Sequence, residues 1–451
     1  MSEQNTGDVR HGPAPAPSRK TLDRTDGFLV AGICCLALLL RLIYLLQYVR
    51  CPYFTKEAMD AGYHLSWAQA IAAGQSFVPG PYFRAPLYPA FLGVLVSLFG
   101  NDTFAIRLTQ SLLGVASCGL VYLVARPVMG RAISAAAALA CAAYGTMIYF
   151  EAELLDPVLA NLLNLLLLGS LFLFARRATR WGLLRTGLLL GLSAITRPNV
   201  LLFAPFALWW LIRIRPRNLT GITVTALFAA GLLVPILPVT VRNVVVGGDF
   251  VPIASQGGLN LYIGNNARSN GMVARLEGVP ATIQGIYEGS AALAEQETGR
   301  PLKPSEVSAH YTKKAVAWML SNPGDAAGLL ARKFSYFWTH FEIIDNRNFH
   351  FLIARYAPVL RLLPIRYWML APLACAGIAA CWRRRRELFP FWGFLLVYMV
   401  GVVLFFVNAR FRIPAVPVLA VLAAFGAAEL LASIREKRLG RATALIGGLA
   451  V

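Results

Sequence analysis

The chain has 451 residues, 57% hydrophobic and 14% charged, with a net charge of +20. A soluble domain averages about 25% charged residues, so this composition excludes an ordinary soluble enzyme and describes an integral membrane protein. The basic excess lies in short clusters between apolar runs, the positive-inside pattern of a polytopic protein. No basic patch with interleaved aromatics stands on a soluble domain, which argues against nucleic acid as a partner.

Residues 1–26 are polar and Pro-rich, carry Arg10, Arg19, Lys20 and Arg24, and read as a disordered cytoplasmic tail. A span needs roughly 20 apolar residues. By that measure the spans fall near 27–48, 104–125, 131–150, 154–175, 181–196, 199–213, 219–241, 366–382, 388–407 and 414–433. The expected fold is an all-α integral membrane protein with about 10 transmembrane helices. Its N-terminal module covers 27–241, with an interfacial outer loop at 49–103. A small, mostly helical cap covers 242–364, C-terminal helices cover 365–433, and 434–451 is a cytoplasmic tail or the start of a further span.

The stretch "PLYPAFLGVLVSLFG", residues 86–100, is too short to cross and reads as an interfacial or re-entrant helix. That choice keeps Arg126 and Arg131 on the side of the N-terminal tail, with the clusters at 176–185, 213–217, 383–386 and 435–441. Within the cap, Pro304–Ser305–Glu306 is a helix start and Asn322–Pro323–Gly324 a stop. Six of the seven cysteines lie in or at the ends of apolar runs; only Cys51 is expected on the outer side, and no metal-ligand spacing occurs.

The polar residues at the outer boundary carry the chemistry. In "EAMDAGYHLSWAQAIAAG", residues 57–74, an amphipathic helix places Glu57, Asp60 and His64 on one face, with Tyr63 beside them. Arg84 precedes the re-entrant helix. "YFEAELLDP" sets Glu151, Glu153 and Asp156 at the junction of two spans, with Glu153 and Asp156 as i, i+3 neighbours once the helix begins. Arg107 opens the second span from outside. "NARFRIP" places Arg410 and Arg412 in a short outer loop, against the positive-inside rule. Arg41 lies inside the first span and must snorkel or pair within the bundle. Acids from two loops and arginines from three suit a reaction on a lipid-linked phosphate: a carboxylate takes a hydroxyl proton, and planar guanidinium forks hold phosphate oxygens.

On these residues the chain resembles the polytopic GT-C type glycosyltransferases related to dolichyl-phosphate-mannose protein mannosyltransferases and the bacterial aminoarabinose transferase of lipid A. The matching pieces, in order, are "MDAGYHLSWAQAIAAG", "RAPLYPAFLGVLVSLFG", "FAIRLTQSLLGVASCGLVYLVAR", "YFEAELLDP", "GLLLGLSAITRPNVLLF" and "ARFRIPAVPVLAVLAA". The resemblance implies an inverting transferase in the bacterial cytoplasmic membrane, its site facing the periplasm or exterior. The donor is a sugar on a polyprenyl phosphate; the acceptor is a glycan, lipid or protein. Asp60 matches the family's general base in the first outer loop, and Arg84 matches the basic residue that contacts donor phosphate. The acid at the start of the fourth span corresponds to Glu153 or Asp156. Arg107, Arg410 and Arg412 complete the phosphate cradle, with His64 and Tyr63 at the substrate. Met59 and Ala61 flank Asp60, so the acidic pair of the protein mannosyltransferases is reduced to a single base. Phe83 precedes Arg84 where some members use an acid to bind a metal, so no metal and no cofactor are expected. The absence of a phosphate-binding loop or dinucleotide fingerprint accords with a lipid donor. Two other readings compete. A transporter or flippase of lipid-linked precursors predicts inverted repeats and midplane ionisable groups. A non-catalytic envelope-assembly scaffold predicts loss of Asp60 or of the outer arginines.

Overall fold

The computed structural model describes residues 22–437 apart from 274, 277 and 281. The expected tails at 1–26 and 434–451 therefore lie mostly outside the described residues. The described part of the first tail is already structured. α1 (Arg24–Tyr48) starts three residues before the apolar run because Asp23 and Asp26 cap each other's backbone amides, a reciprocal capping box.

After α1 come α2 (Met59–Ala72), α3 (Leu87–Phe99), α4 (Thr103–Met129), α5 (Arg131–Ala142), α6 (Gly145–Ala152), α7 (Pro157–Arg176) and α8 (Arg180–Ala194). A 3-10 turn, Pro198–Phe203, leads into α9 (Ala204–Ile214), and α10 (Gly221–Val245) follows. The cap holds α11 (Gly257–Gly264), α12 (Ile283–Thr298), α13 (Pro304–Ser321), α14 (Pro323–Trp338), α15 (Phe349–Tyr356) and α16 (Pro358–Leu362). The chain closes with α17 (Tyr367–Ala380), α18 (Phe389–Val403), α19 (Ala409–Arg412) and α20 (Val416–Arg435). No strand forms among the described residues; the one backbone bridge joins Tyr144 and Ile365.

Five helical segments are long and apolar enough to cross a membrane: α1, α4, α7, α10 and Ala409–Arg435. Shorter apolar helices (α3, α5, Pro198–Ile214, α17 and α18) accompany them. α3 has 13 residues, about 20 Å at 1.5 Å per residue, short of a hydrocarbon core of about 30 Å. Arg126 and Arg131 meet Asp26 and Asp23, with Arg126 Nε 2.7 Å from Asp26 Oδ1. The end of α4 therefore stands beside the start of α1. α2, α3 and the cap gather at the opposite end, called here the site end.

Two expectations are corrected. The segment read as one span over 131–150 is broken at Ala143–Tyr144, where the backbone leaves the helix and α6 begins at Gly145. α16 packs into that break: a Cβ on Gly145 would come within 3.2 Å of the Leu360 carbonyl oxygen. Glu153 and Asp156 do not share a helical turn, because Glu153 ends α6 and Asp156 precedes α7.

α8 and α10 pack backbone to backbone. A side chain on Gly187 would collide with the Phe228 carbonyl, and one on Gly231 with the Leu184 carbonyl. In lipid, such close approach replaces the hydrophobic drive between helices. Gly231→Val is expected to lower the thermal midpoint of the purified protein in detergent, by an overpacking cost of about 1–3 kcal/mol; an unchanged midpoint would show that the two helices are free to separate.

Candidate active site

Asp60 stands in the first turn of α2, whose N-cap residue Ala58 supplies no capping side chain. Met59, just before it, has φ +53°, a left-handed conformation that side chains with a Cβ rarely adopt. Such a backbone costs of order 1–3 kcal/mol and persists where the surroundings hold it. Here the surroundings are ionic. Arg84 Nη2 donates to Asp60 Oδ1 at 3.0 Å, and Arg410 Nη1 donates to Asp60 Oδ2. Burial alone would raise the Asp60 carboxyl, but the two guanidiniums overcome it and hold Asp60 far below the usual carboxylate range.

Arg410 is aimed by α19, where the Asn408 side chain caps the helix by accepting from Phe411 N. The same Asn408 donates Nδ2 to Asp345 Oδ1 at 2.8 Å. Asp345 lies on the strap 339–348 between α14 and α15, with its Oδ2 3.2 Å from Arg410 Nε. That contact is close in charge but misaligned for a hydrogen bond, and both atoms are buried without a partner. Arg84 Nε and Asn346 Nδ2 share this condition. Four orphaned polar atoms at one place call for an explanation, since nearly all buried polar groups are hydrogen-bonded. Burial and the neighbouring Asp60 push the Asp345 carboxyl up, opposite in direction to Asp60. Two carboxylates driven apart in this way are the arrangement from which acid and base roles arise.

The remaining acids are paired in turn. Arg197, from the "TRPN" turn, donates Nε to Asp156 Oδ2 at 2.6 Å and reaches the Tyr398 hydroxyl. Glu153 accepts from the Tyr48 hydroxyl at 2.7 Å and lies 3.3 Å from Arg347. Glu57 precedes α2 instead of sharing its face with Asp60 and His64; it pairs with Arg107 and with Arg347. Glu151 forms a buried pair with Arg41, at 2.6 Å from its Nε.

Of the four arginines expected around phosphate, the fold brings Arg84 and Arg410 together. Arg107 is fully buried and donates to the carbonyls of Ala152 and Phe54 as well as to Glu57. Arg412 donates to the carbonyls of Thr339 and Phe341 at 2.8 Å and to Glu342 Oε2 at 2.6 Å, over the Tyr367 ring. These two arginines bind the protein to itself. Tyr63 packs edge-on against Trp67 and Phe77. His64 donates Nδ1–H to the Leu154 carbonyl at 3.1 Å and, among the described residues, makes no hydrogen bond to an acid. Burial, then the Arg84 charge, pushes its ring down to about 4.

Asp345, Asn346, Arg347 and Arg197 are the members that sequence reasoning passed over. The signal for the first three was "DNRN", a polar run that reads as an ordinary turn. Arg197 hid in the turn between two short helices. No cluster of three His, Cys, Asp or Glu side chains able to hold a metal occurs among the described residues. The free space beside Asp345 is small: about 10 Å³, bounded by Ala58, Tyr149, Asn346 and Arg347. That is room for about one water.

Residues 83–241 match the family model described as dolichyl-phosphate-mannose-protein mannosyltransferase. No curated protein matches the chain. Among solved structures, the oligosaccharyltransferase of Archaeoglobus fulgidus, in complex with Zn and sulfate, is similar at TM-score 0.50 and 14% identity. The match covers 94% of this chain and 51% of that one, so this chain spans about half its length. ArnT from Cupriavidus metallidurans, bound to undecaprenyl phosphate, matches at TM-score 0.40 and 14% identity, over 90% of this chain and 79% of that one.

Two outcomes are expected. His64 has a folded pKa of about 4 against 6.5 unfolded. Between those values the unfolded chain binds more protons, so stability falls as pH drops through the window. The thermal midpoint followed from pH 7 to 4 should show that slope, and His64→Gln should flatten it. Arg412→Gln, which strands Glu342, should cost about 3–5 kcal/mol. Arg84→Gln, at a partly exposed side chain that leaves Asp60 its Arg410 partner, should move the midpoint far less; equal losses would make Arg84 structural too.

Proposed function

We propose, from the premise that this chain has the GT-C glycosyltransferase fold, that it is an inverting glycosyltransferase. It moves a sugar from a polyprenyl-phosphate donor to an acceptor hydroxyl or phosphate at the outer face of the cytoplasmic membrane, and Asp60 is the general base. The observation that carries this reading is the Asp60 carboxylate shared by Arg84 and Arg410, with the Nε of each arginine buried and unpartnered. The family-model match over 83–241 includes Arg84, Arg107, Glu153, Asp156 and Arg197, and its description supports a lipid-phosphate-linked sugar as donor.

The chemistry follows from competition for the arginines. With both guanidiniums on Asp60, its carboxylate is a poor base. A donor phosphate at Arg84 and Arg410 brings negative charge to the same cations and satisfies their free Nε–H groups. Asp60 then loses part of its stabilisation, and its proton affinity rises. Asp60 takes the acceptor proton as the acceptor oxygen attacks the anomeric carbon from the face opposite the phosphate. The bond from that carbon to the phosphate oxygen breaks, and the electron pair leaves with the polyprenyl phosphate. Arg84 and Arg410 stabilise the departing charge, and one displacement inverts the centre. Arg197 on Asp156 and Arg347 on Glu153 keep the neighbouring acids off the phosphate. A water-sized space cannot admit a sugar, so donor entry displaces the strap 339–348 and with it Asp345.

The test is transfer from a radiolabelled polyprenyl-phosphate-sugar pool by the purified protein. Asp60→Asn is expected to lower kcat by roughly 10²–10⁴-fold, the usual worth of a general base, with the lipid donor still bound. Arg84→Gln should raise the donor KM. Full turnover by Asp60→Asn would remove Asp60 as base. Donor that binds to wild type and is never consumed would end the transferase reading in favour of a transporter or scaffold.

A further inference from the structure

A second cavity, of about 400 Å³, opens at the site end on the other side of the strap. That volume is within the ligand-pocket range of roughly 300–1,000 Å³. Its inner wall is the α5–α6 break at Tyr144–Thr146 together with Glu342; its rim comes from α15, α16 and the start of α17.

The charges around it are one-sided. His340, His350, Arg361 and Arg366 all line the cavity. Its acid, Glu342, is already taken by Arg412 at 2.6 Å and accepts from the hydroxyls of Tyr144 and Thr146. The Arg361 guanidinium is exposed and makes no hydrogen bond or ion pair among the described residues. Arg366 donates to the Arg361 carbonyl, which carries no charge to balance it. His350 is fixed between Phe341 and Phe349, with ring centroids at 5.1 and 4.2 Å, and by its Nε2 contact with the Glu342 carbonyl at 2.9 Å.

The apolar surroundings continue outward. Leu362 is 82% and Trp368 59% exposed, at the end of the cap and the first turn of α17. An exposed Trp where an apolar helix starts marks the membrane interface. An arginine pair without an acid partner among the described residues, with an apolar skirt at that level, matches one kind of molecule: its anionic head meets the guanidiniums, and its hydrocarbon lies along Leu362 and Trp368.

We infer that this cavity is a binding site for the phosphate group of an anionic amphiphile, with Arg361 and Arg366 as the phosphate contacts and the Trp368 face as the seat of its chain. Arginine presents a planar fork to phosphate oxygens, and His340 lines the same cavity. The site is separate from the Asp60 cluster, whose arginines lie beyond the strap, and it does not depend on the transferase reading.

The experiment measures equilibrium binding of radiolabelled phosphatidylglycerol, phosphatidylcholine and inorganic phosphate to the full chain, purified in neutral detergent. The comparison is wild type, Arg361→Gln/Arg366→Gln, and Arg213→Gln/Arg215→Gln as a control for equal charge loss at a distant helix end. Expected is preference for phosphatidylglycerol over phosphatidylcholine, lost roughly tenfold in the first double variant and kept in the control, in line with the strength of basic-residue contacts to anionic lipid. Inorganic phosphate that competes at the same site would assign a free phosphate ligand; phosphate that fails to compete would assign the lipid. Equal binding of the two lipids, or equal loss in both double variants, would overturn the inference. If the first double variant loses its thermal transition, Arg361→Gln alone decides, since that side chain supports nothing else.

Discussion

The contact on which the site depends is the carboxylate of Asp60 held between two arginines that come from distant parts of the chain, 24 and 350 residues away. In a low-dielectric site a charge cannot be left alone; an unpaired buried ion costs several kcal/mol. Asp60 therefore needs an arginine partner, and its two contacts tie α2, the loop before α3 and α19 to one point. The strain at Met59 is sustained by the same contact.

The strap shows how an irregular segment can be held without regular hydrogen bonding. Its charged side chains reach different elements in succession. Glu342 reaches Arg412, Tyr144 and Thr146; Asp345 reaches Arg410 and Asn408; Arg347 reaches Glu57, Glu153 and Tyr48. Such a segment is exchangeable in a way that the bundle is not. α8 and α10 meet through glycine backbones, and their contact is lost only by separating the helices. The strap's contacts, by contrast, are single side-chain ion pairs and hydrogen bonds. The division of labour is physical: packed backbone fixes the frame, and ion pairs close it.

Much of the frame was legible before the fold. Apolar runs long enough to span identify α1, α4, α7 and α10, because hydrocarbon thickness imposes a length that composition reports. The shortness of 86–100 was enough to recognise α3, and "NPG" was enough to end α13, though not to announce that α14 begins at once. The breaks were not legible. Ala143–Tyr144 lies inside an apolar run, and the kink is stabilised by the loop after α16, more than 200 residues later in the chain, as the Tyr144–Ile365 bridge records. The same applies to Glu153 and Asp156, whose spacing suits one helical turn until the chain leaves the helix between them.

By itself the sequence determined that this is a polytopic helical membrane protein, and it singled out Asp60, Arg84 and Arg410 among the polar residues beside its apolar runs. Those properties follow from residue type and spacing. Only the tertiary structure decided which arginine meets which acid. Arg84 and Arg107 look alike in sequence, as do Arg410 and Arg412. One of each pair reaches Asp60, while the other is spent on backbone carbonyls and on Glu57 or Glu342. Pairing is set by where helices end in three dimensions, and no local pattern encodes that. For the same reason Asp345 entered the Asp60 cluster unannounced: a turn residue joins such a cluster only when the fold carries its loop there.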